Sequence, residues 1–195
     1  PTAAPPSPGA SHWSTEAATA RPPHELPAAP KLIGRENALA AINTGAPSGV
    51  VAIHGAAGVG KTAASIAAAH LLAGRYPDGQ FYLGLHGSSH SRVRQLRAAP
   101  AWLLQCLGAP AASIPTDQNR AASALRSLLT TRRILIVVDD VTTAEQVALL
   151  RPPNAASLLL TTSRRMLAEL DGAVQVRLDP LTPEHAVELL AAIVG

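Results

Sequence analysis

A chain of 195 residues, 47% hydrophobic but only 3% aromatic, has room for one core of ordinary size, built from Ala, Leu, Val and Ile. Its net charge of +3 is a small arginine excess rather than a basic tail, which argues against DNA binding by this segment. The single cysteine, Cys106, excludes an internal disulfide and a Cys-based zinc site, and its apolar surroundings mark it as a small buried hydrophobe.

Residues 1–30 are rich in Pro, Ala, Ser and Thr and lack apolar periodicity, which predicts a disordered linker containing the isolated Trp13. Order is expected to begin near Leu32-Ile33-Gly34-Arg35-Glu36, with Leu39 and Ile42 at helical spacing and a helix ending near Gly45. The apolar run 50–54 reads as a first strand, with His54 a hydrogen-bonded core histidine. It leads into Gly55-Ala56-Ala57-Gly58-Val59-Gly60-Lys61-Thr62, which satisfies the phosphate-loop pattern G-x-x-x-x-G-K-[ST] at every fixed position. The alanine-rich segment 61–72 then reads as a helix able to approach a sheet closely, ended by Gly74 and Pro77.

The spacing of that motif has a physical cause. Glycines let the backbone curl so that successive N–H groups face one concavity, and the following helix adds its N-terminal partial positive charge. Lys61 would reach the β- and γ-phosphates, and the Thr62 hydroxyl would ligate Mg²⁺. The chain has only two lysines, and one stands where the motif requires it.

Further along, Tyr76-Pro77-Asp78-Gly79-Gln80 turns into a second strand at 81–85. Segments 92–97 and 102–107 read as helices separated by Pro100, with Arg92, Arg94 and Arg97 on a solvated face. His86 and His90 fit a turn better than a metal site. Thr116 is the expected cap of an amphipathic helix carrying Ala121, Leu125, Leu128 and Leu129 on one side. Residues 134–138 are consecutively apolar, as in a strand buried on both faces, and end in Asp139-Asp140.

Such a pair of carboxylates reads as a Walker B motif. A carboxylate at the end of a buried strand costs desolvation energy unless a cation or donors meet it, so Asp139 is expected to hold the metal. Asp140 would orient or deprotonate an attacking water, and it also fits an acidic turn before the next helix. Thr142-Thr143-Ala144-Glu145 reads as a capping box opening a helix through Leu150, stopped by Pro152-Pro153. Strands follow at 157–162 and 173–178, and a helix at Thr182-Pro183-Glu184 carries Ala186, Leu189, Leu190 and Ile193 as one stripe. The fourth strand ends in Thr161-Thr162-Ser163-Arg164-Arg165. Ligands of open α/β sheets bind at the carboxyl ends of strands, so Arg164 is a candidate γ-phosphate sensor, whereas Arg165 fits the start of a surface helix. Alternating strands and helices predict an α/β fold with a mostly parallel sheet covered on both faces.

The Leu32–Glu36 stretch, the loop at 55–62, Tyr76-Pro77-Asp78-Gly79, the Asp139-Asp140 strand, Thr162-Ser163-Arg164 and Leu178-Asp179-Pro180-Leu181 occur in that order. Together, over about residues 25–195, they resemble the NB-ARC nucleotide-binding domain of STAND signal-transduction ATPases. They resemble in particular the large regulators of the Streptomyces antibiotic regulatory protein family. The resemblance implies a P-loop NTPase fold of five strands in the order 5-1-4-3-2. It implies that the backbone around Ile33 and the Arg35 side chain contact adenine. The nucleotide contacts are then Ile33, Arg35, Gly55, Ala57, Gly58, Val59, Gly60, Lys61, Thr62 and Ala63, with Thr62 and Asp139 on Mg²⁺ and Asp140 and Arg164 in catalysis.

It further implies a cytoplasmic switch in a transcriptional regulator of antibiotic biosynthesis, ADP-bound at rest and self-associating through the full-length protein when ATP-bound. DNA would be contacted by another region, and no membrane would be involved. The helical subdomain that closes over the nucleotide would lie beyond residue 195, so the expected activity is slow ATP hydrolysis. Two rival readings share the fold: a small P-loop kinase using the 92–97 arginines as a lid, and a nucleotide-locked interaction module without turnover. No Asn-Lys-x-Asp motif is present, which disfavours a GTPase.

Overall fold

Strand β3 (Ile134–Val141) shows how the sheet is made. Ile134, Ile136 and Val138 enter the buried cluster on one face, and Leu135 and Val137 enter the cluster on the other. This is the two-residue alternation of a strand covered on both sides, and it explains the unbroken apolar run. The computed structural model describes residues 22–85 and 89–194.

Around β3 the chain winds β1 (Val50–His54), β2 (Gly79–Gly84), β4 (Leu158–Ser163) and β5 (Val174–Arg177) into one five-stranded sheet. Every pairing is parallel and the spatial order is β2-β3-β4-β1-β5, the order expected above. On one face α1 (Glu36–Gly45) and α2 (Lys61–Leu72) bury Ile42, Ala64, Ala68, Ala69 and Leu72. The small side chains of α2 let it lie close against the sheet. On the other face α3 (Ser89–Cys106), α4 (Gln118–Leu129) and α5 (Ala144–Ala148) bury Leu96, Leu103, Leu104, Leu125, Leu129 and Val147. Phe81 meets Trp102 edge to face there, with centroids 5.6 Å apart. The last helix, α6 (Pro183–Val194), leaves Val187, Leu190 and Ile193 exposed, so the stripe expected along it is only partly covered.

Several local readings change. Residues 22–30, assigned by composition to the linker, include a strap along the outer edge of β2. Gln80 donates its N–H to the Pro23 carbonyl at 2.9 Å and accepts the Glu25 N–H at 2.8 Å, while His24 bonds the Gln80 side chain and Leu26 packs on the core. Proline-rich composition hides this because the strap has no periodicity of its own; it borrows its order from an edge strand. Pro100 does not separate two helices but sits inside α3. Burial of Leu96, Ala99, Leu103 and Leu104 along one side of that helix offsets a proline cost of about 3 kcal/mol. Asp117, not Thr116, caps α4, its carboxylate accepting the Arg120 N–H at 2.9 Å. The capping box before α5 uses Gln146 rather than Glu145, and that helix is only five residues long.

Arg94 and Arg97 are exposed on α3, as a solvated face requires. Trp13, most of the predicted linker and the turn at His86 lie outside the described residues, as do the side chains of His90 and Arg92. Among the described residues no helix is long and apolar enough to cross a membrane.

Candidate functional site

All five strands end on the same side, and the loop between β1 and α2 crosses that edge. Two of its glycines serve different needs. Gly60 caps α2 at φ +95°, a conformation that L side chains rarely adopt, although a Cβ there would meet nothing. At Gly55, φ +157°, space is a further limit, because a Cβ would lie 2.3 Å from the Leu178 carbonyl oxygen. That approach is fixed by the Leu178 N–H, which donates to the His54 carbonyl at 2.8 Å and draws the end of β5 against the loop. Gly55→Ala must move backbone, and is expected to destabilise the fold by about 1–3 kcal/mol, the range for overpacking. Chemical denaturation of the variant checks this; a midpoint equal to the parent's would contradict the close approach.

Lys61 folds over its own loop. Its Nζ donates to the Gly55 carbonyl at 3.0 Å and to the Ala56 carbonyl at 2.7 Å. Burial lowers its pKa and nearby Arg164 adds to that, while Asp139 and Asp140 act in the opposite direction. One ammonium, one guanidinium and two carboxylates therefore share a single electrostatic neighbourhood. The first N–H groups of α2 have no acceptor within the helix, so this end of α2 suits an anion. His54, just upstream, is half-buried rather than in the core, and its pKa is lowered by burial and then by Arg177, which favours the neutral ring.

Asp139 lies where β3 leaves its regular pairing. Val138 opposes Thr161 and Val141 opposes Ser163, so Asp139 and Asp140 together face the single residue Thr162. This is a β-bulge, a device that re-aims side chains. The Asp139 carboxylate, on a residue only 7% exposed, accepts three hydroxyls. Thr62 donates to Oδ1 at 3.0 Å and Oδ2 at 2.9 Å, Thr162 to Oδ1 at 2.6 Å, and Tyr82 to Oδ2 at 3.1 Å. These donors offset the desolvation of a buried carboxylate. The Tyr82 phenol is driven well above its ordinary pKa, first by burial and then by Asp139, so it stays a donor.

Asp140 adopts φ +63°, the one positive value among the described non-glycine residues. Its N–H donates to the Thr162 hydroxyl at 2.9 Å, and its carboxylate pairs with the Arg164 guanidinium at 3.6 Å. Backbone strain of this kind concentrates at working sites. Thr162 thus ties both acidic residues to β4.

A cleft of about 540 Å³ opens beside the loop. Of the ten residues expected on the nucleotide, seven line it: Ile33, Arg35, Ala57, Gly58, Val59, Gly60 and Ala63. Pro180, Leu181, Ala186 and Leu189 form the facing wall. Lys61, Thr62, Asp139, Asp140 and Arg164 gather next to the loop through the bonds just described. Arg35 faces the cleft but spends its guanidinium on backbone. It donates to the Val59 carbonyl and to the Asp179 carbonyl, each at 2.7 Å, and so braces the loop against the segment after β5. Tyr82 and Thr162 were not among the expected site residues. Each sits near the end of a strand flanking β3, and that placement is the one sequence signal that points to them.

A phosphate loop, a bulged acidic strand end and an arginine just past the end of the neighbouring strand define a P-loop nucleotide-binding domain. The NB-ARC domain model matches residues 36–195, and the chain belongs to that family. Among curated proteins it is similar to the regulatory protein AfsR of Streptomyces griseus, 34% identical over 89% of this chain. It is also similar to AfsR of Streptomyces coelicolor, 34% identical over 75% of it. The matched regions are 18% and 15% of those relatives' lengths. Among solved structures, Cdc6p from Pyrobaculum aerophilum superposes with a TM-score of 0.57 at 14% identity, covering 84% of this chain and 50% of that one. The Drosophila ORC bound to DNA gives 0.54 at 18% identity, covering 88% and 48%. At these identities the likeness is one of fold.

Proposed function

We propose that this domain is an ATP/ADP switch with slow hydrolytic turnover, serving a larger transcriptional regulator of the AfsR kind. One observation carries the reading: the carboxylate at the end of β3 is bonded to the loop threonine that opens α2, beside a lysine and an arginine. Phosphoryl transfer needs this set of groups, since its catalysis is positioning plus charge stabilisation.

The donor set suits Mg²⁺. Thr62 and Asp139 are hard oxygen donors already in contact, and no group of three or more His, Cys, Asp or Glu among the described residues could cage a metal alone. A cation held there takes the rest of its shell from phosphate and water. Bound, it would neutralise charge on the phosphates. Around it, Lys61 leaves its loop carbonyls for the phosphates, and the Asp140 carboxylate orients the attacking water. Arg164, two-thirds exposed, turns from Asp140 toward the terminal phosphate. Adenine lies in the cleft between Ile33 and Leu189. Self-association in the ATP state, and DNA contact elsewhere in the full-length protein, belong to the same proposal.

The two arginines of the 92–97 cluster whose side chains are described give the kinase alternative no support. Arg94 and Arg97 line a separate cleft with Trp102 and α4, and neither lines the cleft beside the loop.

Arg164→Ala is the test. If the arginine reports the γ-phosphate, its loss lowers ATP affinity about tenfold while ADP affinity changes little, the low end for a charged hydrogen bond because the group is exposed. Calorimetry with both nucleotides measures the ratio, and an unchanged ratio removes Arg164 from the site. Single-turnover hydrolysis by residues 1–195 should run below about 1 s⁻¹. A rate inside the kinase range of about 1–100 s⁻¹ would overturn the switch reading.

A further inference from the structure

The Asp139 carboxylate is restrained from both neighbouring strands. On the β4 side, Thr162 is 1% exposed and doubly committed, donating to Oδ1 and accepting the Asp140 N–H. On the β2 side, Tyr82 donates to Oδ2 at 3.1 Å. The third donor, Thr62, differs in kind, because it belongs to the helix that receives the nucleotide and its oxygen must also serve a cation. Of the groups bonded to Oδ2, Tyr82 is therefore the one carried by the sheet itself.

Its placement fits that duty. Tyr82 pairs with Val137 in the β2–β3 register, and its ring packs against the core shared with α2. From there the hydroxyl reaches two residues along β3 to Asp139. A shorter side chain at position 82 could not span that distance, and a phenylalanine would keep the packing while removing only the hydroxyl.

We propose that Tyr82 is a positioning residue that sets the plane of the Asp139 carboxylate and thereby the divalent-cation dependence of nucleotide binding. The inference rests on the reading of Thr62 and Asp139 as the cation pair. Without the phenol, Oδ1 stays fixed by Thr162 but Oδ2 keeps only Thr62, whose oxygen is shared with Oδ1 and with the cation, so the carboxylate is held less firmly in the orientation the cation needs. Groups that orient metal ligands typically contribute about 10–100-fold in metal affinity, and the lower end applies because Thr162 remains.

The experiment measures ATP affinity by calorimetry in EDTA and across a Mg²⁺ titration, for the parent chain, Tyr82→Phe and Asp139→Asn, with thermal melting in parallel. Tyr82→Phe is expected to match the parent in EDTA, melt within a few degrees of it, and need about tenfold more Mg²⁺ to reach half-maximal enhancement. Equal loss of affinity with and without Mg²⁺ would mean a merely structural role and overturn the proposal, as would an unchanged Mg²⁺ midpoint. A parent chain indifferent to Mg²⁺, or an Asp139→Asn variant indistinguishable from it, would remove the cation pair itself and Tyr82's role with it.

Discussion

Lys61→Ala is expected to abolish ATP binding, or weaken it by about 3–5 kcal/mol, the cost of breaking a buried charge pair. In dissociation constant that is about two to three and a half orders of magnitude. The size of the effect follows from the site. The ammonium already sits over the loop, held by the Gly55 and Ala56 carbonyls. An arriving phosphate meets a pre-positioned cation, whereas the alanine variant leaves those carbonyls facing an anion. Calorimetry is decisive, and an unaltered affinity would refute the phosphate-loop assignment.

Asp139→Asn should have the next largest effect, and a different one. Its amide oxygen can still accept the Thr162 and Thr62 hydroxyls, so the fold is expected to survive with a melting temperature within a few degrees of the parent's. Binding of Mg²⁺-ATP should fall at least tenfold, because a neutral amide replaces the carboxylate that holds the cation's shell, whereas metal-free ATP binding should persist. A variant that also lost metal-free binding would show that Asp139 supports the loop rather than the cation.

Much of this site is legible in the chain because its parts are local. The loop from Gly55 to Thr62 is one contiguous pattern, and the apolar run 134–138 announces both a buried strand and the carboxylates at its end. What escapes reading is held across strands. Tyr82 and Asp139 are 57 residues apart, and nothing in their neighbourhoods says that a phenol and a carboxylate will meet. Thr162 lies in a recognised motif, yet its two bonds exist only because β3 bulges opposite it. Arg35 lines the cleft, but its use of two backbone carbonyls depends on how near β5 comes to the loop. The Pro100 and residue 22–30 readings fail for the opposite reason: local composition is informative there, and tertiary burial or edge pairing overrules it.

The strap over Gln80 bears on what the rims of the sheet can pair with. An open sheet has two rims, here β2 and β5, and a bare rim is a template for another chain's strand. At Gln80 both backbone groups of β2 are already bonded to Pro23 and Glu25, so the rim is blocked at that residue from within the same chain. The opposite rim is only four residues long and carries Gln175 and Arg177, poor material for growth by strand addition. Both rims are thus poorly suited to growth by strand addition. Neither offers an easy template for a further strand, and the carboxyl edge that carries the phosphate loop is left open.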